Sequence, residues 1–501
     1  MKFGRLGKRP EAGEGAPTKA AGNSKYIDFD LLYQLSYMSV IAAAGVPRSQ
    51  IFERSSQLSN ASSKYFRKIQ LTCQRLGYDY ARACRVVGEQ AKEEDIKGLL
   101  LRFSSSLVSG EPEAEFLTRE AEALAKTYDN EYEGKLESLR QWTDAYVSLT
   151  LSAVLVVIIG LVSTMIWKMD TIFIMGLMAV CIGCTAVGVW LLYLMSPREV
   201  MVLGWDAQGR GVVRKALKFF LPAAVVVCIV LLVRGANIGW ILLIGAALVL
   251  PIGFVASRDD KKVSARDAEV GPFLRSLGGV CAAIGTTVRD ALGRLDLDSI
   301  NTLRPQVKNL HTRLVSGIRA RLCWQRFIEE TGSELASRSV TMFYDAIDMG
   351  GEPERAGYHA SIFANKIAML RARRRVVSSP FHWLCIAMHG AVIMLLVFVT
   401  EVITIFGGMV AEAEEAMPQS PGAASMTSFA SFNYSGIELM GRIVLPLVLI
   451  FTVANALAPS IVDGGSKWKF LYPLGITAAI SGLSLIALPG VATWLFSSIQ
   501  M

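Results

Sequence analysis

Few residues in this sequence are spaced for chemistry. Cys181 and Cys184 have the Cys-x-x-Cys spacing of redox and metal sites, but they lie in an apolar stretch and no second cysteine pair matches them. We interpret them as small residues that pack between helices. The four histidines are isolated from one another in the sequence: His311, His359, His382 and His389. The sequence therefore predicts no metal site, no bound cofactor and no catalytic cluster.

The motifs of common enzymes are also missing from the sequence. Gly464-Gly465-Ser466-Lys467 resembles part of a phosphate-binding loop but lacks the GxxxxGK[ST] spacing. There is no HExxH motif of metalloproteases, no GxSxG motif of hydrolases, and no GxGxxG motif opening a helix after a strand. We therefore expect a protein that is not an enzyme and has no ATPase activity of its own.

Positive charge is concentrated in one segment of the chain. The run Arg371-Ala372-Arg373-Arg374-Arg375 either anchors the chain on anionic lipid or forms a basic collar for an acidic partner. Nucleic acid is not the expected partner, because no aromatic residues interleave with these charges. We predict partner contacts at seven arginines, with simple solvent exposure as the alternative: Arg319, Arg321, Arg326, Arg371, Arg373, Arg374 and Arg375.

Two opposite charges lie inside apolar stretches. Glu401 lies near the end of one apolar stretch, and Arg442 lies near the start of the next. Consecutive antiparallel helices bring these ends to the same depth, where pairing would offset a burial cost of about 3 kcal/mol per charge. We predict an ion pair between Glu401 and Arg442 that joins two helices, and an ion pathway is the alternative.

The composition indicates that these residues are positioned by membrane helices. The 501-residue chain is 52% hydrophobic and 19% charged, with a mean hydropathy of +0.39, whereas soluble chains have about 45–50% apolar and about 25% charged residues. This excludes disordered, collagen-like and disulfide-rich secreted proteins. A bilayer is crossed by about 20 residues of helix. Seven apolar windows are long enough: Ala145–Trp167, Thr171–Met195, Leu217–Val233, Ile238–Ala256, Leu384–Gly407, Gly436–Ala458 and Phe470–Phe496.

The distribution of charge predicts the orientation of these windows. Positively charged loops favour the cytoplasmic side of a membrane. We therefore expect a multi-pass protein of the cytoplasmic membrane with a cytoplasmic N-terminus and an external C-terminus. The surplus of 51 basic over 43 acidic residues is mainly a signal of this topology. Nearly every lysine and arginine lies in one of four segments: 1–144, 196–218, 257–380 and 459–469.

The predicted fold class is an all-α polytopic membrane protein, with about seven transmembrane helices and two duplicated cytoplasmic helical-bundle domains. Apolar residues recur at helical spacing in both domains, and neither contains a long polar–apolar alternation. The predicted order is a disordered basic tail (1–25), a first helical domain (26–144), two transmembrane helices (145–195), a short basic linker (196–218), two transmembrane helices (219–256), a second helical domain (257–380), and three transmembrane helices (381–501) that enclose an acidic external loop (408–435).

The two helical domains resemble copies of one another. Three apolar residues of the first helix recur 242 residues later, and the triplet Gly110-Glu111-Pro112 recurs 241 residues later as Gly351-Glu352-Pro353. In such a triplet, glycine ends one helix in the left-handed conformation and proline begins the next helix. We interpret the recurrence as an internal duplication, and chance similarity between amphipathic helices is the alternative.

Both copies lead into membrane spans. From Pro112 to Trp167 the only glycines are Gly134 and Gly160 and there is no further proline, which predicts one helix of about 56 residues. In the second copy, Ser378-Ser379-Pro380 predicts an interruption and a kink at the membrane surface. The last apolar window contains Pro489-Gly490, so it is either one span or a broken one.

These features resemble the F domain of type II secretion and type IV pilus platform proteins. The resemblance is carried by two helical modules with Gly-Glu-Pro turns, and by the first-helix segments at residues 31–47 and 273–284. Four spans between the copies and three after them make the layout more similar to the archaeal branch of that family, which serves archaella and archaeal pili. The resemblance covers about residues 26–500.

The resemblance implies a platform that anchors a cytoplasmic secretion ATPase and passes its motion to pilin or archaellin subunits. It also implies contact with membrane lipid, a homodimer, and no activity, cofactor or nucleic acid of its own. The alternatives are a secondary transporter with large cytoplasmic domains, which would need a polar site at mid-membrane, and a membrane-bound enzyme or sensor. Which filament is served is left open by the residues.

The predicted Glu401–Arg442 pair can be tested by substitution. Glu401→Gln and Arg442→Ala should each reduce membrane insertion or assembly, because either change leaves a charge without its partner inside an apolar stretch. Insertion is measured by protease protection and assembly by yield of the folded protein. The pairing is wrong if both variants insert and assemble like the unaltered chain.

Overall fold

The described part of the chain is helical. A computed structural model describes residues 29–166, 171–197, 199–203, 211–298, 300–416 and 434–499. These ranges contain sixteen α-helices and one isolated β-bridge, between Val202 and Ser333. The predicted all-α class is therefore confirmed. The predicted basic tail 1–25 lies outside the described residues, as does most of the predicted acidic loop 408–435.

The helices fall into a first series of short elements and a second series that includes much longer ones. The first series is α1 (Phe29–Ala43), α2 (Arg48–Gln57), α3 (Ser63–Leu76), α4 (Tyr80–Glu89) and α5 (Glu94–Ser109). The second is α6 (Glu113–Ile166), α7 (Thr171–Met195), α8 (Gly211–Val233), α9 (Ile238–Ile284), α10 (Val288–Arg294), α11 (Arg304–Val315), α12 (Ala320–Thr331), α13 (Glu334–Asp348), α14 (Pro353–Ala416), α15 (Tyr434–Asp463) and α16 (Leu471–Ile499).

Two compact units divide the chain. Unit 1 comprises residues 1–131, 272–295 and 338–363, and unit 2 comprises residues 132–271, 296–337 and 364–501. Unit 1 thus takes in α1 to α5 together with segments of the predicted second domain. The remainder of that predicted domain, including α11 and α12, belongs to unit 2 with the apolar helices.

Aromatic stacking forms part of the core of unit 1. The ring of Phe52 on α2 lies 4.5 Å from that of Tyr80 on α4 and 5.5 Å from that of Phe103 on α5. Phe103 in turn stacks at 5.1 Å on Phe116, in the first turn of α6. Phe52, Phe103 and Phe116 are buried, and aromatic rings stacked in this way contribute about 0.5–1.5 kcal/mol per pair beyond their buried area.

Helix α1 lies at the centre of unit 1, because every residue from Leu31 to Ala43 is buried. The Tyr37 hydroxyl donates a hydrogen bond of 2.7 Å to Asp345 on α13. Arg338, also on α13, forms a 3.0 Å ion pair with Asp30 and lies 4.7 Å over the ring of Phe29. Burial, and then the Asp345 carboxylate, raise the pKa of Tyr37, so its phenol remains a hydrogen-bond donor.

Several helices of the two predicted copies begin at positions that lie 240 residues apart. Helices α4 and α12 begin at Tyr80 and Ala320, and α5 and α13 begin at Glu94 and Glu334. The offsets of 241 and 242 found in the sequence are therefore out of register by one or two residues, because apolar stripes of helical spacing allow matches at neighbouring registers. Three pairs of left-handed glycines keep the same spacing: Gly45 and Gly285, Gly77 and Gly317, Gly110 and Gly350.

The two Gly-Glu-Pro turns are consequently not identical. Gly110 takes the left-handed conformation with φ of 73°, but in the second turn it is Gly350, with φ of 83°, that does so. Gly351 occupies the position of Glu111 in the first turn, and its Cα approaches the end of α1 so closely that an added Cβ would lie 2.8 Å from the Cβ of Ala44. The next amide, that of Glu352, donates a 2.9 Å hydrogen bond to the Ala44 carbonyl. The lack of a side chain at Gly351 thus allows the second turn to contact the end of α1.

Unit 2 contains the apolar stretches, and six helices of the described residues are long and apolar enough to cross a membrane. Helix α8 has a shorter apolar part, residues 217–233, so the seventh predicted span stays a prediction. Many exposed side chains in these stretches are large and apolar, as lipid-facing side chains are; they include Leu155, Ile159, Trp190, Ile229 and Trp494. The six helices that are long and apolar enough are α6, α7, α9, α14, α15 and α16, and they indicate a multi-pass membrane protein.

Proline does not interrupt the long helices where interruption was predicted. Helix α14 runs from Pro353 to Ala416 with Pro380 inside it, so the predicted break at Ser378-Ser379-Pro380 is wrong. A proline removes one backbone hydrogen bond at a cost of about 3 kcal/mol. The helix that continues on both sides of Pro380 holds this turn in the helical conformation. Helix α16 likewise continues through Pro489, which makes the last window one helix. The long helix predicted from Pro112 is observed as α6.

A glycine contact between α9 and α14 gives a test of packing in unit 1. A Cβ added at Gly278 would lie 2.5 Å from the Pro353 carbonyl oxygen and 3.2 Å from Gly357, whereas one added at Gly279 would meet nothing within 4 Å. We expect Gly278→Ala to destabilise the fold by about 1–3 kcal/mol and Gly279→Ala to stabilise it by up to about 1 kcal/mol. Thermal unfolding of the detergent-solubilised chain measures both, and equal effects would contradict this packing.

Candidate functional site

The predicted arginine run lies on α14 in unit 2, where helical periodicity places its members on different faces. Arg371 and Arg374 are 5% and 2% exposed, whereas Arg375 is exposed. Arg373 is partly exposed and pairs with Glu133 on α6. Two arginines of the run, Arg371 and Arg374, are therefore buried, and the other two, Arg373 and Arg375, lie at the surface. The two pairs consequently make different interactions.

Arg371 lies at the centre of a buried charge cluster. One guanidinium nitrogen donates a 2.7 Å hydrogen bond to Asp267 on α9, and Nε lies 3.5 Å from the Glu199 carboxylate. The side chains of all three residues are at most 5% exposed. Asp267 also accepts a hydrogen bond from the Ser333 hydroxyl, which itself accepts the Ala336 amide at the start of α13. Two carboxylates therefore balance one guanidinium inside unit 2.

Arg374 binds the carboxyl ends of two membrane helices. Its guanidinium donates to the carbonyls of Ile461 and Val462 at the end of α15, at 3.1 and 2.9 Å. It also donates to the Pro197 carbonyl and the Ser196 hydroxyl, directly after α7, at 2.9 and 2.7 Å. The last carbonyls of a helix have no partner within the helix and carry partial negative charge. One arginine thus binds two of the last carbonyls of α15 and the segment that directly follows α7.

The double glycine after α15 provides the space for this arrangement. Gly464 and Gly465 have φ of 70° and 88°, a conformation that residues with a Cβ rarely adopt. A Cβ at Gly464 would lie 2.8 Å from the Arg374 guanidinium carbon. The following amide, that of Ser466, donates a 2.8 Å hydrogen bond to Asp260 on α9. The segment read in the sequence as an imperfect phosphate loop is therefore a tight turn around Arg374.

Three other predicted contact residues lie on or beside α12, in the part of unit 2 formed by residues 296–337. Arg319 and Arg321 are exposed and form no ion pair with any described residue, whereas Arg326 pairs with Glu329 at 3.0 Å. Beside them, the α11–α12 turn exposes three apolar side chains: Val315, Ile318 and Leu322. This combination of free cations and exposed apolar groups, which we call the α12 patch, can bind a partner surface.

The remaining predicted residues are placed as follows. Glu401 is partly buried on α14, but the side chain of Arg442 lies outside the described residues, so their pairing stays a prediction. Glu111 pairs with Arg119 at 2.7 Å, and Pro112 directly precedes α6. The matching residues of the second turn behave similarly: Glu352 pairs with Arg355 at 2.8 Å, and Pro353 is the first residue of α14.

A polar cluster inside the apolar helices of unit 2 was missed by the sequence reasoning. His389 on α14 is bonded on one side to Ser481 on α16, at 3.0 Å, and on the other to Asn455 on α15, at 3.2 Å. The Tyr146 hydroxyl on α6 donates to Asn455 at 2.7 Å, and Thr452 contacts Ser481 at 2.7 Å. No signal in the sequence indicated this cluster, because its members come from distant parts of the chain.

The sequence was compared with known proteins. It is 22% identical over 456 residues to flagella accessory protein J of Methanocaldococcus jannaschii, covering 87% of this chain and 80% of that protein. It is also 22% identical over 415 residues to flagella accessory protein J of Methanococcus voltae, covering 80% of this chain and 73% of that one. The chain is a distant homologue of archaeal flagella accessory protein J. No family model and no solved structure matches the sequence.

This homology extends over most of the chain. A match of 456 residues is too long to be confined to the short helices of residues 29–131 or to the apolar helices alone. It therefore includes both the polar helices and the membrane helices. The family resemblance predicted from the Gly-Glu-Pro turns and the helical modules is thereby confirmed.

The buried cluster predicts that Arg371 and Arg375 differ strongly. Arg371→Met removes the cation that balances Asp267 and Glu199, so we expect a loss of about 3–5 kcal/mol in the free energy of unfolding. Arg375→Met, the same substitution one helical turn further on at an exposed position, should cost less than about 0.5 kcal/mol. Adding Asp267→Leu to Arg371→Met should recover part of the loss. Unfolding in detergent measures the three variants, and equal losses at both arginines would refute the cluster's role.

Proposed function

We propose that this protein is the membrane platform of an archaellum-type filament assembly machine. In this role it docks a cytoplasmic secretion ATPase and passes the motion of that ATPase to pilin-like subunits in the membrane. The observation that carries the proposal is homology to flagella accessory protein J over most of both chains. The proposed contribution of this chain is mechanical, and the energy comes from nucleotide hydrolysis in the partner.

The α12 patch is the proposed docking surface for the ATPase. Arg319 and Arg321 are exposed at the start of α12 and are free of ion pairs within the described residues. Leu322 is 51% exposed beside them. Interfaces gain binding energy from apolar groups at their centre, while charges at the rim steer association. Of the seven predicted contact arginines, Arg371 and Arg374 are buried and are better suited to internal support than to docking.

Continuous helices support the proposed passage of motion. Helices α6, α9 and α14 each combine a polar portion with an apolar portion that is long enough to enter a membrane. Displacing the polar portion of such a helix moves its apolar portion as well, because the backbone hydrogen bonds are not interrupted between the two. The arginine cluster links α14 to α9 and to the end of α15, so movement of α14 reaches both of these helices.

Topology and assembly state complete the proposal. The segregation of basic residues supports a cytoplasmic N-terminus and an external C-terminus. The helix starts and left-handed glycines that lie 240 residues apart support an internal duplication of the cytoplasmic helices. A homodimer and contact with archaellin or pilin subunits follow from the family resemblance alone.

The alternative of a secondary transporter depends on the polar cluster around His389. A transporter needs polar groups near the middle of the membrane that are free to bind a substrate or ion. In the cluster, both ring nitrogens of His389 are bonded to neighbouring helices, and Asn455 is bonded to both His389 and Tyr146. Such bonding favours a polar joint between α6, α14, α15 and α16 over a substrate site.

Charge reversal on the α12 patch tests the docking proposal. We expect Arg319→Glu with Arg321→Glu, in the full-length chain in nanodiscs, to weaken binding of the secretion ATPase from the same cell at least about tenfold at low salt. Binding is measured by biolayer interferometry, and stimulation of ATP hydrolysis by phosphate release. Both should fall together, because docking precedes stimulation.

A matched control separates this surface from general charge. Lys68→Glu with Lys92→Glu makes the same change in net charge at exposed positions of unit 1 and should leave binding within about twofold. Equal weakening by the two pairs would show that binding depends only on net charge. If the unaltered chain binds no secretion ATPase at low salt, the platform proposal itself is wrong.

A further inference from the structure

A cavity of about 510 Å³ lies in unit 2, among helices α9, α14, α15 and α16. Its walls include Arg258 and Lys261 from α9, Arg375 and Trp383 from α14, and Tyr472 from α16. Asp463 and the Gly464-Gly465 turn after α15 close another side. The proposed docking surface, at the α11–α12 turn, contributes no residue to the walls of this cavity, so the cavity is a separate feature.

All four helices change from apolar to charged residues at the level of this cavity. The apolar stretch of α9 ends at Ala256 and is followed by Arg258, and that of α14 begins at Leu384, directly after Trp383. The apolar part of α15 ends before Asp463, and α16 begins at Leu471 after two lysines. In a membrane protein this level coincides with the lipid headgroups. The cavity therefore opens where headgroups lie.

The cavity carries an excess of cations that the protein does not neutralise. Three of its acidic side chains already bind basic or amide groups: Asp267 binds Arg371, Asp463 binds Lys469, and Asp260 accepts the Ser466 amide. In contrast, three exposed cations form no ion pair and no side-chain hydrogen bond with any described residue: Arg258, Lys261 and Arg375. A ligand with one or two negative charges would complete the site.

We propose that this cavity binds the phosphate headgroup of an anionic phospholipid, with Arg258, Lys261 and Arg375 as its cationic ligands. A guanidinium group donates two parallel hydrogen bonds to phosphate oxygens, and the lysine ammonium contributes a point charge. Basic pockets between membrane helices on the cytoplasmic side are suited to such headgroups.

The walls favour a lipid over a soluble phosphate compound. Phe254 and Trp383 line the cavity and are 51% and 62% exposed. Phe254 lies near the end of the apolar stretch of α9, and Trp383 directly precedes the apolar stretch of α14. An acyl chain and its glycerol backbone would contact both rings at this level, where tryptophan is favoured. A phosphate without an acyl chain would use the cations but leave these two rings unoccupied. The bound lipid would thus bridge α9 and α14 at the membrane surface.

The test measures lipid retention by the full-length chain. The protein is placed in nanodiscs of phosphatidylcholine containing a minor fraction of phosphatidylglycerol, extracted with detergent, and analysed by native mass spectrometry. We expect one phosphatidylglycerol to remain bound per chain. Arg258→Gln with Lys261→Gln and Arg375→Gln should weaken that binding roughly a hundredfold, since each cation near a headgroup contributes about fivefold. Arg258→Lys with Arg375→Lys should retain most of it.

The control removes the same charge elsewhere in unit 2. Lys308→Gln with Arg319→Gln and Arg321→Gln alters three exposed cations of α11 and α12 and should leave retention within about twofold. Thermal unfolding in phosphatidylcholine alone should be similar for both triple variants, because all six cations are exposed. Equal loss of lipid in the control, or full retention in the cavity variant, would overturn the proposal.

A calorimetric titration distinguishes the two sources of phosphate. Inorganic phosphate is added to the protein in phosphatidylcholine nanodiscs, and its affinity is compared with that of phosphatidylglycerol. We expect inorganic phosphate to bind at least tenfold more weakly, because it lacks the acyl contacts with Phe254 and Trp383. Binding as tight as that of the lipid would show that the cavity serves a soluble phosphate compound, and the lipid assignment would be wrong.

Discussion

The assembly of unit 2 depends on keeping two arginines of α14 away from water with their charges paired or hydrogen-bonded. A buried guanidinium is tolerated only when carboxylates or carbonyls replace its hydration. Arg371 pairs with Asp267 and Glu199, and Arg374 binds the last carbonyls of α15 and the Pro197 carbonyl directly after α7. Each partner comes from a different element, so α14 can occupy its position only when α7, α9 and α15 are also in place.

This requirement explains features that have no meaning on their own. The Gly464-Gly465 pair follows α15 because side chains there would collide with Arg374 and Asp260. Residues 199–203 run past Arg371, and Met201 and Leu203 exchange backbone hydrogen bonds with Glu334 and Gly332. Other arginines of the same run of α14 are left at the surface. The run therefore supplies both internal support and one cation, Arg375, of the proposed lipid site.

Unit 1 is organised around a different constraint, the complete burial of α1. An α-helix without a solvent face must be covered on all sides, and α13 and the start of α14 provide part of that cover through Asp345, Arg338 and Glu352. These residues belong to the second of the two predicted copies, so the copies are not independent bundles in this unit. Gly351, which stands where the first turn has Glu111, makes the contact with Ala44 sterically feasible because it has no side chain.

Local and compositional properties were decided by the sequence alone. Apolar stretches, helical periodicity and glycine stops predicted an all-α membrane protein, the long helix α6 and the family resemblance, because each depends on residues close together in the chain. Only the tertiary structure decided which arginines are buried, which glycine caps the second turn, and that His389 belongs to a polar cluster shared by four helices. Those outcomes depend on partners tens to hundreds of residues away, and a periodic pattern is compatible with several registers until such partners are in contact.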